Sequence, residues 1–143
     1  MDKEILDKGL GRTGAIIGGR ATYDTAEAWG SENPWAIPFF VFTHRTADEP
    51  SNGAFSFVSG LEAALEHARA AAGDKDVGIM GGADTIRQAL AGGYVDELIV
   101  TIAPVLLGGG KRLFEGVDRS VDLQQLDARQ STWATHLRYR VQN

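Results

Sequence analysis

Residues 77–90, VGIMGGADTIRQAL, run from a short apolar segment through a Gly-Gly pair into a segment with helical spacing. Val77 to Met80 predicts a short strand, which Gly81-Gly82 closes. Asp84 to Ala91 follows as a helix with Ile86 and Leu90 on one side, and Gly92-Gly93 ends it. Strand, glycine turn and helix in this order form the repeating unit of an α/β sheet.

The same unit recurs upstream. Ala15-Ile16-Ile17 meets Gly18-Gly19, and Arg20 to Ala28 can form a short helix. Ile37 to Thr43 (IPFFVFT) is β-branched and aromatic, with Pro38 near its start where a missing N–H does least harm, and reads as a buried strand. Phe55 to Val58 leads into Ser59-Gly60-Leu61-Glu62, a capping-box signature for an Ala-rich helix ending at Gly73, with Leu61, Leu65, Ala68 and Ala72 on one face. Leu98 to Ala103 (LIVTIA) is a near-continuous apolar run of the kind found in the middle of a parallel sheet. The tail differs. Val121 to Leu126 and Trp133 to Val141 have no helix between them, and the alternation of Trp133, Thr135, Leu137, Tyr139 and Val141 with His136, Arg138 and Arg140 suits antiparallel strands. The expected fold is α/β, a mixed and mainly parallel sheet covered on both faces, in one domain spanning residues 1–143.

Composition removes several function classes. The chain has no cysteine, so disulfides, cysteine-ligated zinc and thiol catalysis are excluded, and its three histidines lack ligand spacing. A formal net charge of -5 argues against broad nucleic-acid contact, so an anionic ligand must be met locally. No apolar run is long enough to cross a bilayer and MDKEILDKGL has a helical, mixed-charge character, which reads as a soluble, cytoplasmic protein without membrane contact.

Ligands of open α/β sheets bind beyond the carboxyl ends of the strands, where glycines admit the backbone and helix N-termini offer free N–H groups. Three segments qualify: Gly18-Gly19-Arg20-Ala21-Thr22, Thr43-His44-Arg45 and Gly81-Gly82-Ala83-Asp84-Thr85. All follow strands expected to be parallel, so two basic loops should flank a glycine-rich one along a single rim. A dinucleotide with an extra phosphate suits such a rim, because planar Arg matches phosphate. GxxxxGK[ST] does not occur, and Gly108-Gly109-Gly110-Lys111, with no Ser or Thr after the Lys, reads as a bend or bulge between strands.

Five ordered strings, GGRATYD (18–24), FVFTHR (40–45), MGGADTIRQAL (80–90), VDELIVTIAPVLLGGGKRLF (95–114) and THLRYRV (135–141), closely resemble the reductase domain of riboflavin biosynthesis and its bacterial dihydrofolate reductase-like relatives. The resemblance implies a three-layer dihydrofolate reductase-like fold, NADPH as hydride donor and a homodimer. It places Gly19, Arg20, Thr22, Thr43, His44 and Arg45 at the cofactor phosphates. Gly81 and Gly82, commonly joined by a cis peptide, approach the diphosphate with Ala83, Asp84 and Thr85 following. Family members usually begin with a strand bearing a Ser-Leu-Asp-Gly-like motif, whereas Met1 begins at what reads as the helix before the Ala15 strand. A central strand is then expected to be absent, leaving unpaired edges. Riboflavin-pathway reductases often carry Glu before the Gly-Gly pair, and here Met80 stands there.

The function expected is therefore hydride transfer from NADPH to a small heterocycle, a riboflavin precursor (5-amino-6-(5-phosphoribosylamino)uracil reductase type) or a pterin-like substrate. The alternatives are a non-catalytic nucleotide-binding or dimerisation remnant of that fold, and an intact reductase whose reading frame continues upstream of Met1. No catalytic acid can be named: Asp24, Glu27, Asp96 and Glu97 read as helix-end or surface charge. Trp29, Trp35 and Trp133 could line a pocket or stack on a ring, with core or interface packing the commoner fate of Trp.

Overall fold

In a computed structural model, residues 2–117 and 120–142 are described. Four parallel strands form the first sheet: β1 (Thr13–Gly19), β2 (Phe39–Phe42), β3 (Ser56–Val58) and β4 (Asp76–Gly81), in the order β3-β2-β1-β4. Successive residues of a strand face opposite sides, and β1 shows what each side buries. Ala15 and Ile17 point toward helix α3 (Leu61–Ala72), where Ala64, Leu65 and Ala68 complete an aliphatic core. Ile16 points the other way, into Phe39, Val41, Phe55 and Phe57, with Tyr23, Trp29 and Trp35 packed around them. Alanine on α3 lets the helix lie close to the sheet: a Cβ on Gly14 of β1 would stand 2.8 Å from the Ala72 backbone.

Between β1 and β2 the chain forms α2 (Arg20–Thr25) and then a turn over Glu27–Ser31. The helix expected to reach Ala28 stops early because Glu27, Ala28 and Trp29 adopt left-handed backbone. That turn brings Trp29 against Trp35, Phe39 and Phe55, with ring centroids 5.0 to 5.8 Å apart. Trp29 and Trp35 are thus packing residues; Trp133 is exposed.

The capping box does not form. Gly60, at φ 95°, takes the N-cap position of α3 without a side-chain cap, which puts Glu62 at the second helical residue instead of the third. The Glu62 carboxylate instead accepts a 2.6 Å hydrogen bond from the Tyr94 hydroxyl. This bond raises the Tyr94 pKa.

The second sheet is antiparallel, with β5 (Glu97–Ile102), β6 (Asp122–Gln130) and β7 (Thr135–Gln142) in the order β5-β7-β6. The LIVTIA run was expected in the middle of a parallel sheet, and here it is the edge of this antiparallel one. An apolar run reports burial, not pairing partner or direction. Leu98 and Val100 face helix α4 (Ala83–Ala91) with Leu90 and Ile86, whereas Ile99 is 60% exposed. Among the described residues β4 and β5 each pair on one side only, so the strands divide into two sheets with unpaired edges at β4 and β5.

Helix α1 (Asp2–Arg12) connects the two sheets and buries no residue fully. At its start, the Asp2 carboxylate meets His136 Nε2 at 2.5 Å and accepts from the Ser131 hydroxyl at 2.9 Å, contacts that hold its pKa below the usual carboxylate value. At its end, Arg12 donates to Asp76 of β4 (2.9 Å) and Glu97 of β5 (3.4 Å). No helix among the described residues is long and apolar enough to cross a membrane.

Candidate functional site

Parallel strands present their carboxyl ends on one side, so the loops after β1, β2 and β4 share one rim. Beyond it lies a cleft of about 800 Å3. The β1 loop contributes Gly19, Arg20 and Ala21; the β2 loop contributes Thr43, His44 and Arg45; the turn into α4 contributes Gly82, Ala83, Asp84 and Thr85. Thr22 and Gly81, assigned to the same site from sequence, do not line the cleft. They stand behind its floor.

That floor is backbone laid on backbone. A Cβ on Gly19 would stand 2.6 Å from Thr85 Oγ1 and 3.3 Å from both the Gly81 carbonyl oxygen and the Gly82 nitrogen. A Cβ on Gly82 would stand 3.2 Å from Thr22 Oγ1, so Thr22 packs under the glycine pair. The Gly81–Gly82 peptide is cis. Gly82 is the N-cap of α4 and caps it without a side chain, leaving first-turn N–H groups available to a ligand.

The rim is cationic, and its charges differ in state. Arg20 Nε donates to Asp24 Oδ1 at 2.8 Å, and its Nη1 stands 3.3 Å from Asp48 Oδ2 without forming a hydrogen bond. Its guanidinium lies 5.1 Å from the ring centre of Phe57 and 5.7 Å from that of Tyr23. The bond to Asp24 outweighs desolvation and raises the Arg20 pKa. Arg45 reaches the same carboxylates at 3.6 and 3.8 Å. The buried Thr43 hydroxyl accepts the Arg45 backbone N–H at 3.1 Å, which fixes where that side chain leaves the loop.

Sequence reasoning missed the opposite wall. Arg87 and Gln88 of α4 line it together with Lys111, Arg112 and Glu115. Arg87 bonds Asp84 at 2.6 Å and the Glu115 carbonyl at 2.7 Å, fastening the 111–115 loop to α4. Lys111 and Arg112 make no hydrogen bond or ion pair among the described residues. Gly108 and Gly110, at φ 74° and 135°, do form a bend, as expected, but the bend delivers two cations to the cleft. The Lys-Arg pair immediately after the glycines was the available signal.

Two of the carboxylates read as structural are held in ion pairs. Asp24 neutralises arginines, Glu97 pairs with Arg12 and Arg138, and the Asp96 carbonyl accepts from the Val141 N–H. No cluster among the described residues has the side chains to hold a metal ion.

A protein-family model described as the RibD C-terminal domain matches residues 18–137, a span that includes all three strand-end loops and the 111–115 loop. The chain belongs to the RibD C-terminal domain family. YyaP of Bacillus subtilis (strain 168) is 30% identical to it over 150 residues, covering 90% of this chain and 77% of YyaP. Among solved structures, a riboflavin biosynthesis protein from Shewanella sp. PV-4 superposes with a TM-score of 0.81 at 24% identity, over 95% of this chain and 78% of that one. Dihydrofolate reductase from Enterococcus faecalis, solved with NADP(H) and RAB-propyl, superposes with a TM-score of 0.71 at 16% identity, over all of this chain and 83% of that one. At these identities the superpositions establish the α/β fold of parallel sheet and antiparallel strands.

Proposed function

We propose that this chain is an NADPH-dependent reductase that delivers hydride to a small heterocycle of riboflavin-precursor or pterin type. The observation that carries the reading is the convergence of Gly19, Gly82, the open N-terminus of α4 and the arginines of two loops on one cleft. Each part suits a phosphorylated dinucleotide. The side-chain-free floor admits a diphosphate to the N–H groups of α4, and Arg20, Arg45, Lys111 and Arg112 supply cationic donors around it. Bound NADPH would supply the hydride. The chain's own residues bind and orient: Thr43 sets the course of Arg45, Arg87 holds the 111–115 loop against α4, and Thr22 supports the glycine pair.

A homodimer belongs to the same proposal, supported by the exposed apolar run Val105-Leu106-Leu107 after β5. The second reading, a nucleotide-binding module without reductase chemistry, is favoured by one observation. Of the carboxylates lining the cleft, Asp84 is committed to Arg87, and only Glu115 is left without an ion-pair partner among the described residues.

NADPH titration followed by tryptophan-to-nicotinamide energy transfer tests the proposal, with NADPH oxidation then measured against pterin and flavin-precursor substrates. Saturable binding with oxidation is expected. Binding without oxidation by any substrate would move the conclusion to the second reading, and absence of saturable binding would overturn both.

A further inference from the structure

Arg20 and Arg45 look in the sequence like free cations awaiting a phosphate, and in the structure both are already engaged by one pair of carboxylates. Asp24 bridges Arg20 and Arg45 through its two oxygens, at 2.8 and 3.6 Å, and Asp48 Oδ2 lies 3.3 Å from Arg20 and 3.8 Å from Arg45. These four charges cancel, so a phosphate arriving at this corner meets no net attraction from it until a carboxylate gives way.

We infer that Asp48 is a built-in competitor for the phosphate seat of Arg20 and Arg45, and that it sets how strongly the cleft prefers a dinucleotide bearing a 2′-phosphate over one without it. The inference rests on the cofactor reading above and adds Asp24 and Asp48, which that reading does not use. The two carboxylates differ in how they are held. Asp24 lies one helical turn after Arg20 within α2 and forms the short bond, so it travels with Arg20 and aims it. Asp48 comes from the short turn Thr46–Asp48, and both of its contacts are longer than 3.2 Å.

The arginines differ as well. Arg20 has a side chain only 20% exposed, stacked on Phe57 and Tyr23, and its buried Nη1 has no hydrogen-bond partner. A buried guanidinium nitrogen whose nearby carboxylate is outside hydrogen-bond geometry is poorly satisfied, and an incoming phosphate oxygen could align with it better. The Arg45 side chain is 63% exposed and, among the described residues, held only by the two longer contacts, so it can turn to a ligand without losing a short bond. Withdrawal of Asp48 therefore opens a ready-made two-arginine seat, while Asp24 keeps Arg20 in place.

The test compares NADPH and NADH affinities, by calorimetry, for the wild-type chain and for Asp48→Asn. Adenosine 2′,5′-bisphosphate against adenosine 5′-monophosphate serves as a second pair that lacks the nicotinamide. Asp48→Asn is expected to tighten the 2′-phosphorylated member of each pair by about two- to fivefold, the scale of one partly exposed ion pair. The unphosphorylated members should change by much less. Asp24→Asn should weaken the phosphorylated members, because Arg20 loses its aim. An unchanged or reduced preference in Asp48→Asn, with both dinucleotides still bound, overturns the competitor role and leaves the cofactor reading standing. If no nucleotide binds either protein, both fall together.

Discussion

The two sheets are built from similar lengths of strand and stand in opposite relation to solvent. In the parallel sheet, β1 and β2 are each flanked on both edges and the sheet is covered on both faces, so that Ala15, Ile17 and Val41 are completely buried. In the antiparallel sheet, Leu98 of β5 and Val141 of β7 are the buried apolar positions among the described residues, while Ile99, Ile102 and Leu123 face solvent. The parallel sheet carries the core and presents its carboxyl ends to the cleft. The antiparallel sheet is attached to it through α4 and a few polar contacts, notably those of Arg12. Apolar content along a strand does not by itself report stabilisation; what matters is whether a second layer exists to receive it.

The contrast is most severely tested at Phe55, whose ring is enclosed by Tyr23, Trp29 and Phe39 at 5.2 to 5.8 Å. Phe55→Ala is expected to cost about 3–5 kcal/mol in urea unfolding. A loss under about 1 kcal/mol would mean that the aromatic layer is not a packed core. A smaller but sharper comparison lies within β5. Leu98→Ala removes a buried side chain and should cost about 2 kcal/mol or somewhat more, whereas Ile99→Thr next to it should stay within about 0.5 kcal/mol. Equal costs at both positions would show that a partner covers the outer face of β5 in solution.

The smallest effect concerns α1. The Asp2 carboxylate is held below its ordinary pKa of 3.8 by His136 and Ser131. A depressed carboxylate stabilises the fold above its unfolded pKa and loses that contribution as pH falls through the folded value. Acidification from about pH 5 to about pH 2 should therefore release the start of α1 from β7 while the parallel sheet persists. Amide chemical shifts of residues 2–12 and of β1, followed across that range, report the two regions separately. Loss of both together would show that α1 is integral to the core.

Much of the parallel half was legible in the sequence because its signals are local: an apolar run, a glycine pair and a helix beginning within a few residues. This sufficed to bring the Arg20, Arg45 and Gly82 loops to one rim. The pairing of β5 was not legible, since a run such as LIVTIA states that side chains are buried and leaves open which strand receives their backbone. The charge state of the rim was only half legible. Asp24, four residues after Arg20 on a helix, is a readable partner, but Asp48 reaches the same arginine from a different loop, and nothing local announces it. Lys111 and Arg112 were hidden for a related reason. Their place in the cleft depends on Arg87 gripping the Glu115 carbonyl, a contact 28 residues apart in sequence.

The division of the sheet between β4 and β5 also governs how the backbone meets solvent deuterium. Amides of β1 lie between two hydrogen-bonded neighbours, so their exchange requires the parallel sheet to open as a whole. Amides along the outer edges of β4 and β5 have no ladder partner among the described residues, and they exchange through local fluctuations. The protein thus has two separately timed clocks, with the slow one at Ile16 and Ile17 beneath the cleft floor.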